Sequence, residues 1–198
     1  MLTIALFGTS ADPPTIGHLA ILRELSQQFD RVAVWASDNP FKSHQARLEH
    51  RTEMLRLLIS ESDFSQQNVQ VFPELSSSRT LMTVERAKER WHDAEFTLVI
   101  GADLVKQLPQ WFRVEDLLKQ VKLLVVSRPG YIVVRDDLKR LKQMGAKVTI
   151  AHFKSPDVSS TAYREQGNTE GVTPQIQDYI DREQLYGCHA RREKLPIH

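Results

Sequence analysis

The chain has 198 residues, of which 41% are hydrophobic and 26% charged, and this composition is typical of a globular domain with a full core. A formal net charge of +1 gives no support to a nucleic-acid or membrane-surface role, and no apolar run approaches the roughly 18 residues of a membrane span. Cys188 is the single cysteine, which excludes an internal disulfide, and no basic leader precedes the first apolar run. We therefore expect a cytoplasmic protein.

Apolar runs and helical spacings alternate along the chain. The predicted strands cover residues 3–7, 31–36, 69–72, 96–100, 122–126 and 147–150. The predicted helices cover 16–29 (with Thr15 as N-cap), 48–59, 82–91, 136–144 and two pieces from 161 onward, the second starting at Pro174. This order predicts an α/β fold: a Rossmann-like, doubly wound, mostly parallel sheet of about six strands with helices on both faces.

We predict one domain, residues 1–188, with a small helical C-terminal part from about residue 159 and a polar tail at 189–198. In parallel sheets ligands bind beyond the carboxyl ends of the strands. The loops that follow the predicted strands are therefore the candidate site.

The turn after the first strand, Gly8-Thr9-Ser10 through Thr15-Ile16-Gly17-His18, leads a strand into a helix N-terminus. Such a turn offers free backbone N–H groups and the positive end of a helix dipole, which suit phosphate. His18 adds a donor, and Gly17 permits close approach of the backbone. Neither a P-loop nor the usual dinucleotide fingerprint is present, and the H-E-x-x-H, C-x-x-C and G-x-S-x-G motifs are also absent.

A second cluster follows the strand at 96–100. Gly101 would let a ligand lie against the backbone, and Asp103 could accept hydrogen bonds from ribose hydroxyls or act as a helix N-cap. Trp111 could stack on a flat ring, although composition alone favours a place in the core.

The third cluster, Ser159-Ser160-Thr161-Ala162-Tyr163-Arg164, follows the last strand. Its hydroxyls stand at a predicted helix start, and Arg164 can bridge phosphate oxygens with its planar fork. The simpler alternative is an ordinary Ser/Thr N-cap with a surface arginine.

The loop after the second strand adds basic residues, each of which is most simply interpreted as a surface charge: Lys42, Arg47, His50 and Arg51. Lys42 stands between a proline-containing turn and the next helix, and it is the best candidate for a phosphate contact.

Taken together, Thr15-Ile16-Gly17-His18 and Ser159–Arg164 resemble the H/T-x-G-H and S-S-T-x-x-R motifs of the nucleotidyltransferases related to class I aminoacyl-tRNA synthetases. The resemblance sharpens to the bacterial nicotinate-nucleotide adenylyltransferases and covers nearly the whole chain. Further matches are Asn39-Pro40-Phe41-Lys42, His50-Arg51, Gly101-Ala102-Asp103, Leu108-Pro109 with Trp111, Ser127-Arg128-Pro129-Gly130, and the ending from Val172 to Tyr186.

This resemblance implies an enzyme of NAD biosynthesis that joins ATP to nicotinate mononucleotide and needs Mg²⁺ bound with the ATP phosphates, with few or no protein ligands. It implies catalytic roles for His18, Thr15 and Arg164. The implied ATP-binding residues are Gly8, Thr9, Ser10, Gly17, His18, Gly101, Asp103, Ser159, Ser160, Thr161 and Arg164. The implied substrate-binding residues are Asn39, Lys42, Arg79, Thr80, Trp111 and Arg128.

The chain departs from the family pattern at Thr15, where a first histidine usually stands, at Ala11, and at Arg79 in the loop that helps relatives recognise the pyridine substituent. Arg79 would favour a carboxylate and hence nicotinate. The alternatives are an enzyme that uses nicotinamide mononucleotide or both mononucleotides, a phosphopantetheine adenylyltransferase, and a catalytically silent nucleotide-binding protein. The sequence leaves the oligomeric state open, a homo-oligomer included.

Overall fold

The computed structural model describes residues 1–39, 42–43, 45–64, 67–127, 133–153 and 156–187. Strands and helices alternate along this part of the chain. The strands are β1 (Leu2–Thr9), β2 (Arg31–Ala36), β3 (Val69–Val71), β4 (Ala94–Gly101), β5 (Lys122–Val126) and β6 (Lys147–Ile150). The helices are α1 (Ile16–Gln28), α2 (Leu48–Ser60), α3 (Thr80–Arg90), α4 (Val114–Leu118), α5 (Arg135–Gln143), α6 (Ser160–Gln166) and α7 (Pro174–Arg182).

The six strands form one parallel sheet in the order β3-β2-β1-β4-β5-β6. The predicted Rossmann-like, doubly wound fold is confirmed. Strand order reverses between β1 and β4, and loops leave these two neighbours in opposite directions. The carboxyl ends of β1 and β4, Thr9 and Gly101, therefore border a natural crevice.

Two hydrophobic cores cover the two faces of the sheet, as the period of two in a strand requires. Ala5 and Phe7 of β1 point to the core that contains α1, α2 and α7. Ile4 and Leu6 point to the opposite core, which contains α3 and α4. A sheet covered on both faces leaves its strand ends as the place for polar chemistry.

The predicted elements are confirmed with small shifts in their ends. Helix α3 begins at Thr80, two residues before the predicted start, so Thr80 is the first helical residue and Arg79 its N-cap. The sequence did not predict α4 or the short 3-10 turns at Ala102–Leu104 and Leu108–Gln110. No helix among the described residues combines the length and apolar character that a membrane span needs. The predicted tail at 189–198 lies outside the described residues.

Candidate active site

The candidate site lies at the carboxyl edge of the sheet, where the turn after β1 meets loops that follow β2, β4 and β6. Several polar side chains are buried there, including Asp12, Thr15, His18 and Arg51. Burial of polar groups is unfavourable unless they are hydrogen-bonded, so their partners determine how the site is held.

Thr15 and His18 form a reciprocal cap at the start of α1. The Thr15 backbone N–H donates to Nδ1 of His18 at 3.0 Å, and Oγ1 of Thr15 lies 2.9 Å from the same nitrogen. Because Nδ1 accepts the backbone hydrogen bond, the proton of the neutral imidazole is on Nε2. The cap therefore fixes His18 as an N–H donor through Nε2. Thr15 is the N-cap that the sequence predicts.

The backbone N–H groups of the α1 first turn are less available than the sequence suggests. The Ile16 N–H donates to the Gly171 carbonyl at 2.9 Å, and the His18 N–H donates to the Thr15 carbonyl at 2.9 Å. The expectation of free amides is wrong for these two groups: the segment before α7 packs across the start of α1 and accepts the Ile16 N–H, and the Thr15 carbonyl within the same turn accepts the His18 N–H. Anion binding here would depend mainly on side chains and the helix dipole.

Arg164 and Ser160 reach from α6 to the turn after β1. Nη1 of Arg164 donates to the Asp12 carbonyl at 2.5 Å, and Oγ of Ser160 donates to the Pro13 carbonyl at 2.7 Å. Nη2 of Arg164 also lies 3.4 Å from Oγ1 of Thr161. The start of α6 thus meets the turn after β1, and Arg164 is not simply a surface arginine.

The sequence predicts two possible roles for Ser159, a phosphate contact or an ordinary N-cap, and the structure shows it as an N-cap. The backbone N–H of Ala162 donates to its Oγ at 3.0 Å, which makes Ser159 the N-cap of α6. Asp103, by contrast, is not an N-cap, because Gly101 holds that position before the 3-10 turn.

Arg51 is a buried clamp, and its interpretation as a surface charge is wrong. Its side chain is 2% exposed; Nη1 donates to the carbonyls of Ser10 and Ser37 at 2.8 Å each, and Nε donates to that of Ala46 at 3.1 Å. Burial lowers the pKa of Arg51 from its ordinary value, and the charge of Asp12 opposes this shift. Arg51, like His50, lies in α2 and not in the loop after β2 as predicted from the sequence, and its side chain joins the turn after β1 to that loop.

The second half of the site is a cleft of about 710 Å³ of empty space, its open mouth included. The predicted residues that line it are Gly8, Asn39, Arg79, Thr80 and Trp111. Trp111 also packs against the hydrophobic core, so both interpretations of this residue hold in part.

Arg79 has an aromatic partner that the sequence reasoning missed. The Arg79 guanidinium carbon lies 4.2 Å from the centre of the Phe112 ring, and both residues line the cleft. Phe112 is 43% exposed, which is unusual for a large apolar side chain. The feature of the sequence that could have identified Phe112 is its position directly after Trp111. This contact holds a positive charge beside an aromatic ring in a cleft that is lined by both polar and apolar residues.

Lys42 and Asp103 bring the loops after β2 and β4 together, with Nζ of Lys42 3.9 Å from Oδ2 of Asp103. Lys42 is half-exposed and Asp103 mostly covered, so the pair lies at the rim of the site. A cation and a carboxylate with this spacing could contact a phosphate and a sugar hydroxyl of one ligand.

The remaining predicted residues belong to the backbone around these groups. Gly8 is required by packing, since a Cβ there would lie 2.5 Å from the Trp35 ring. Thr9 is buried and its carbonyl accepts the Ser37 N–H at 2.7 Å. Gly17 is buried in α1. Arg128 lies outside the described residues.

The donor set suits a polyanion. Imidazole, guanidinium and ammonium groups converge from several elements on one edge of the sheet, and the cleft lined by Trp111 and Arg79 adjoins them. In the described ranges, no three His, Cys, Asp or Glu side chains are grouped so that they could hold a metal ion.

Comparison with known proteins places this chain in a family. The cytidylyltransferase-like family model matches residues 6–166. A protein of Synechocystis sp. named probable nicotinate-nucleotide adenylyltransferase is 42% identical over 196 residues, which span 92% of this chain and 98% of that protein. The nicotinate-nucleotide adenylyltransferase of Bacillus subtilis is 29% identical over 197 residues, 94% of this chain and 99% of its own length.

Solved structures agree in fold. A Plasmodium falciparum nicotinic acid mononucleotide adenylyltransferase complexed with NaAD superimposes with a TM-score of 0.79 at 21% identity, over 94% of this chain and 98% of that one. The same enzyme complexed with APC gives a TM-score of 0.76 at 20% identity, over 94% and 98% of the two chains. By the matched domain and by the identity to the Synechocystis protein, the chain belongs to the nicotinate-nucleotide adenylyltransferase family of nucleotide-transferring enzymes.

Proposed function

We propose that the chain joins nicotinate mononucleotide to the AMP part of ATP, with release of diphosphate, to form deamido-NAD in NAD biosynthesis. The observation that carries this proposal is that the carboxyl end of β1 borders both the cleft and the turn that contacts Arg164. Gly8 lines the cleft together with Trp111, and the turn after β1 leads on to His18 and contacts Arg164. A polyphosphate and a flat ring could therefore be held side by side.

On the ATP side, His18, Thr15 and Arg164 would hold the phosphates. Nε2–H of His18 is the donor that the Thr15 contact orients. The guanidinium of Arg164 uses two of its five N–H groups within the described part of the chain, which leaves three for phosphate oxygens.

Backbone and hydroxyl groups would complete the ATP site. They come from the turn after β1, the first turns of α1 and α6 and the end of β4: Gly8, Thr9, Ser10, Gly17, Ser159, Ser160, Thr161 and Gly101. Asp103 would accept hydrogen bonds from ribose hydroxyls.

On the mononucleotide side, Trp111 would stack on the pyridine ring and Arg79 would contact its carboxylate. Thr80 and Asn39 line the same cleft, and Lys42 at its rim would meet the mononucleotide phosphate. We keep Arg128 as a further substrate contact.

The reaction would be a direct displacement. A phosphate monoester is largely a dianion at neutral pH because its second pKa is about 6, so its oxygen needs no general base. That oxygen would attack the α-phosphorus of ATP, one P–O bond would form, and the bond to the departing diphosphate would break. The residues contribute position and positive charge, which are the main needs of phosphoryl transfer.

Mg²⁺ would enter with ATP as part of the substrate complex. Its ligands would be phosphate oxygens and water, since the side chains that face this site are mainly donors. We propose that these substrates meet in the cytoplasm.

Incubation with ATP, Mg²⁺ and one acceptor at a time, followed by chromatography of the products, tests the proposal. The acceptors are nicotinate mononucleotide, nicotinamide mononucleotide and phosphopantetheine. We expect deamido-NAD as the fastest product. Faster transfer to phosphopantetheine, or ATP binding without transfer to either mononucleotide, would refute it.

A further inference from the structure

The C-terminal segment after α7 reaches the active-site turn through one hydroxyl. The phenol of Tyr186 donates to Oδ1 of Asp12 at 2.7 Å, across 174 residues of chain. The same carboxylate accepts the Gln45 N–H at 2.9 Å through Oδ2 and the Ala46 N–H at 3.1 Å through Oδ1. Asp12 is 2% exposed, so these three donors hold a buried charge in one orientation.

The backbone of Asp12 contacts a residue of the proposed ATP site. Its backbone carbonyl accepts Nη1 of Arg164, while its carboxylate is fixed by Tyr186 and the loop after β2. The same residue thus holds Tyr186 by its side chain and Arg164 by its backbone, so a change in the position of Asp12 on loss of the Tyr186 hydrogen bond would move the acceptor of Arg164. We infer that Tyr186 is a positioning residue that acts through Asp12 to aim the Arg164 guanidinium at the phosphates of ATP.

The surroundings keep Tyr186 in the donor role. Burial and the neighbouring Asp12 charge raise the pKa of the phenol, and Arg164 and Arg51 only partly oppose this shift. The inference rests on the proposed function in one respect, because it takes Arg164 to be an ATP ligand. It goes beyond that function by giving the C-terminal segment a part in transfer.

The test compares full-length Tyr186→Phe with a matched control, Tyr179→Phe. The Tyr179 phenol also joins the C-terminal part to the body of the protein, by a 2.9 Å hydrogen bond with Nδ1 of His50, but it does not touch the turn. We expect Tyr186→Phe to lower kcat about 10- to 100-fold, the scale of a small misplacement of a catalytic group. It should also weaken ATP binding measured by calorimetry, with KM for the mononucleotide unchanged within about twofold.

A double-mutant cycle with Arg164→Ala shows whether Tyr186 acts through Arg164. If Tyr186 acts through Arg164, Tyr186→Phe has no further effect on kcat in the Arg164→Ala background. Equal losses in both backgrounds would overturn the inference, and so would a Tyr186→Phe chain that matches Tyr179→Phe in kcat and ATP affinity.

Should Tyr186→Phe fail to fold, Asp12→Asn provides the same cycle, because it replaces one acceptor oxygen with a donor. We expect the same non-additivity with Arg164→Ala, and additive losses would again overturn the inference. The calorimetric measurement of ATP binding, which we call the ATP-binding arm of the test, needs no mononucleotide. A wild-type chain that binds ATP but forms no dinucleotide would refute the proposed function, and this arm would still report on Tyr186.

Discussion

His18 has two separable roles, and different substitutions can remove them one at a time. Its Nδ1 accepts the Thr15 N–H and so caps α1, and its Nε2–H is the donor proposed for the ATP phosphates. Loss of a cap costs about 0.5–2 kcal/mol of stability. Loss of one donor aimed at developing charge costs about 10²–10³ in kcat, or about 2.7–4 kcal/mol.

We therefore predict that His18→Ala lowers kcat by about 10²–10³ and the free energy of unfolding by about 0.5–2 kcal/mol. His18→Glu separates the two effects. Glu three residues after a Thr N-cap completes the usual capping box, so His18→Glu should retain more of the free energy of unfolding than His18→Ala does. Its carboxylate has no N–H donor and repels phosphate, so kcat should fall at least as far as in His18→Ala.

Initial rates at saturating ATP and nicotinate mononucleotide measure kcat, and urea unfolding measures stability. His92→Ala is the control: His92 is exposed and lies in the turn between α3 and β4, and both quantities should stay at wild-type values. A fall in kcat of less than about fivefold in His18→Ala, or an active His18→Glu, would refute the role given to this histidine.

Four further predictions concern other parts of the site. Arg79→Ala should lower kcat/KM for nicotinate mononucleotide about 10- to 150-fold, the worth of a charged hydrogen bond, and for nicotinamide mononucleotide less than about threefold; equal losses would contradict its role. Trp111→Ala should raise KM for the mononucleotide about 5- to 150-fold, since stacking is worth about 1–3 kcal/mol, with KM for ATP unchanged in the same rate measurements. Arg51→Met should lower the free energy of unfolding in urea by about 2–5 kcal/mol, because three carbonyls lose their donor; a smaller change would mean that they find other partners. The pKa of Tyr186 is raised above 10.0 in the folded state, so the protonated phenol stabilises the fold fully below about pH 10. Above that pH its contribution to the free energy of unfolding falls by about 1.4 kcal/mol per pH unit, so urea unfolding should show a smaller loss of stability with rising pH in Tyr186→Phe than in wild type.

The sheet could be predicted from the sequence because its strands are buried on both faces. Continuous apolar runs such as Leu123–Val126 are distinctive, and strands separated by helices favour parallel pairing. The strand-end clusters followed from the same pattern. Ends were least certain where a polar residue could begin a helix, as Thr80 does in α3.

The supporting contacts could not be predicted because they join side chains to partners that are distant in the sequence. Arg51 looks like any surface arginine in the sequence, and only the fold brings the Ser10 and Ser37 carbonyls to its guanidinium. Asp12 and Tyr186 are 174 residues apart. No local pattern reports such a contact, and a single sequence holds no covariation that could.

One measurement addresses the central claim directly. The enzyme is supplied with Mg²⁺, nicotinate mononucleotide and ATP made chiral at the α-phosphorus by one sulfur, and the dinucleotide is isolated and its configuration determined. A single direct displacement predicts a dinucleotide with inverted configuration at that phosphorus. Retention would reveal a covalent enzyme intermediate, and the absence of dinucleotide would exclude the transfer itself; either result would contradict the mechanism built on His18 and Arg164.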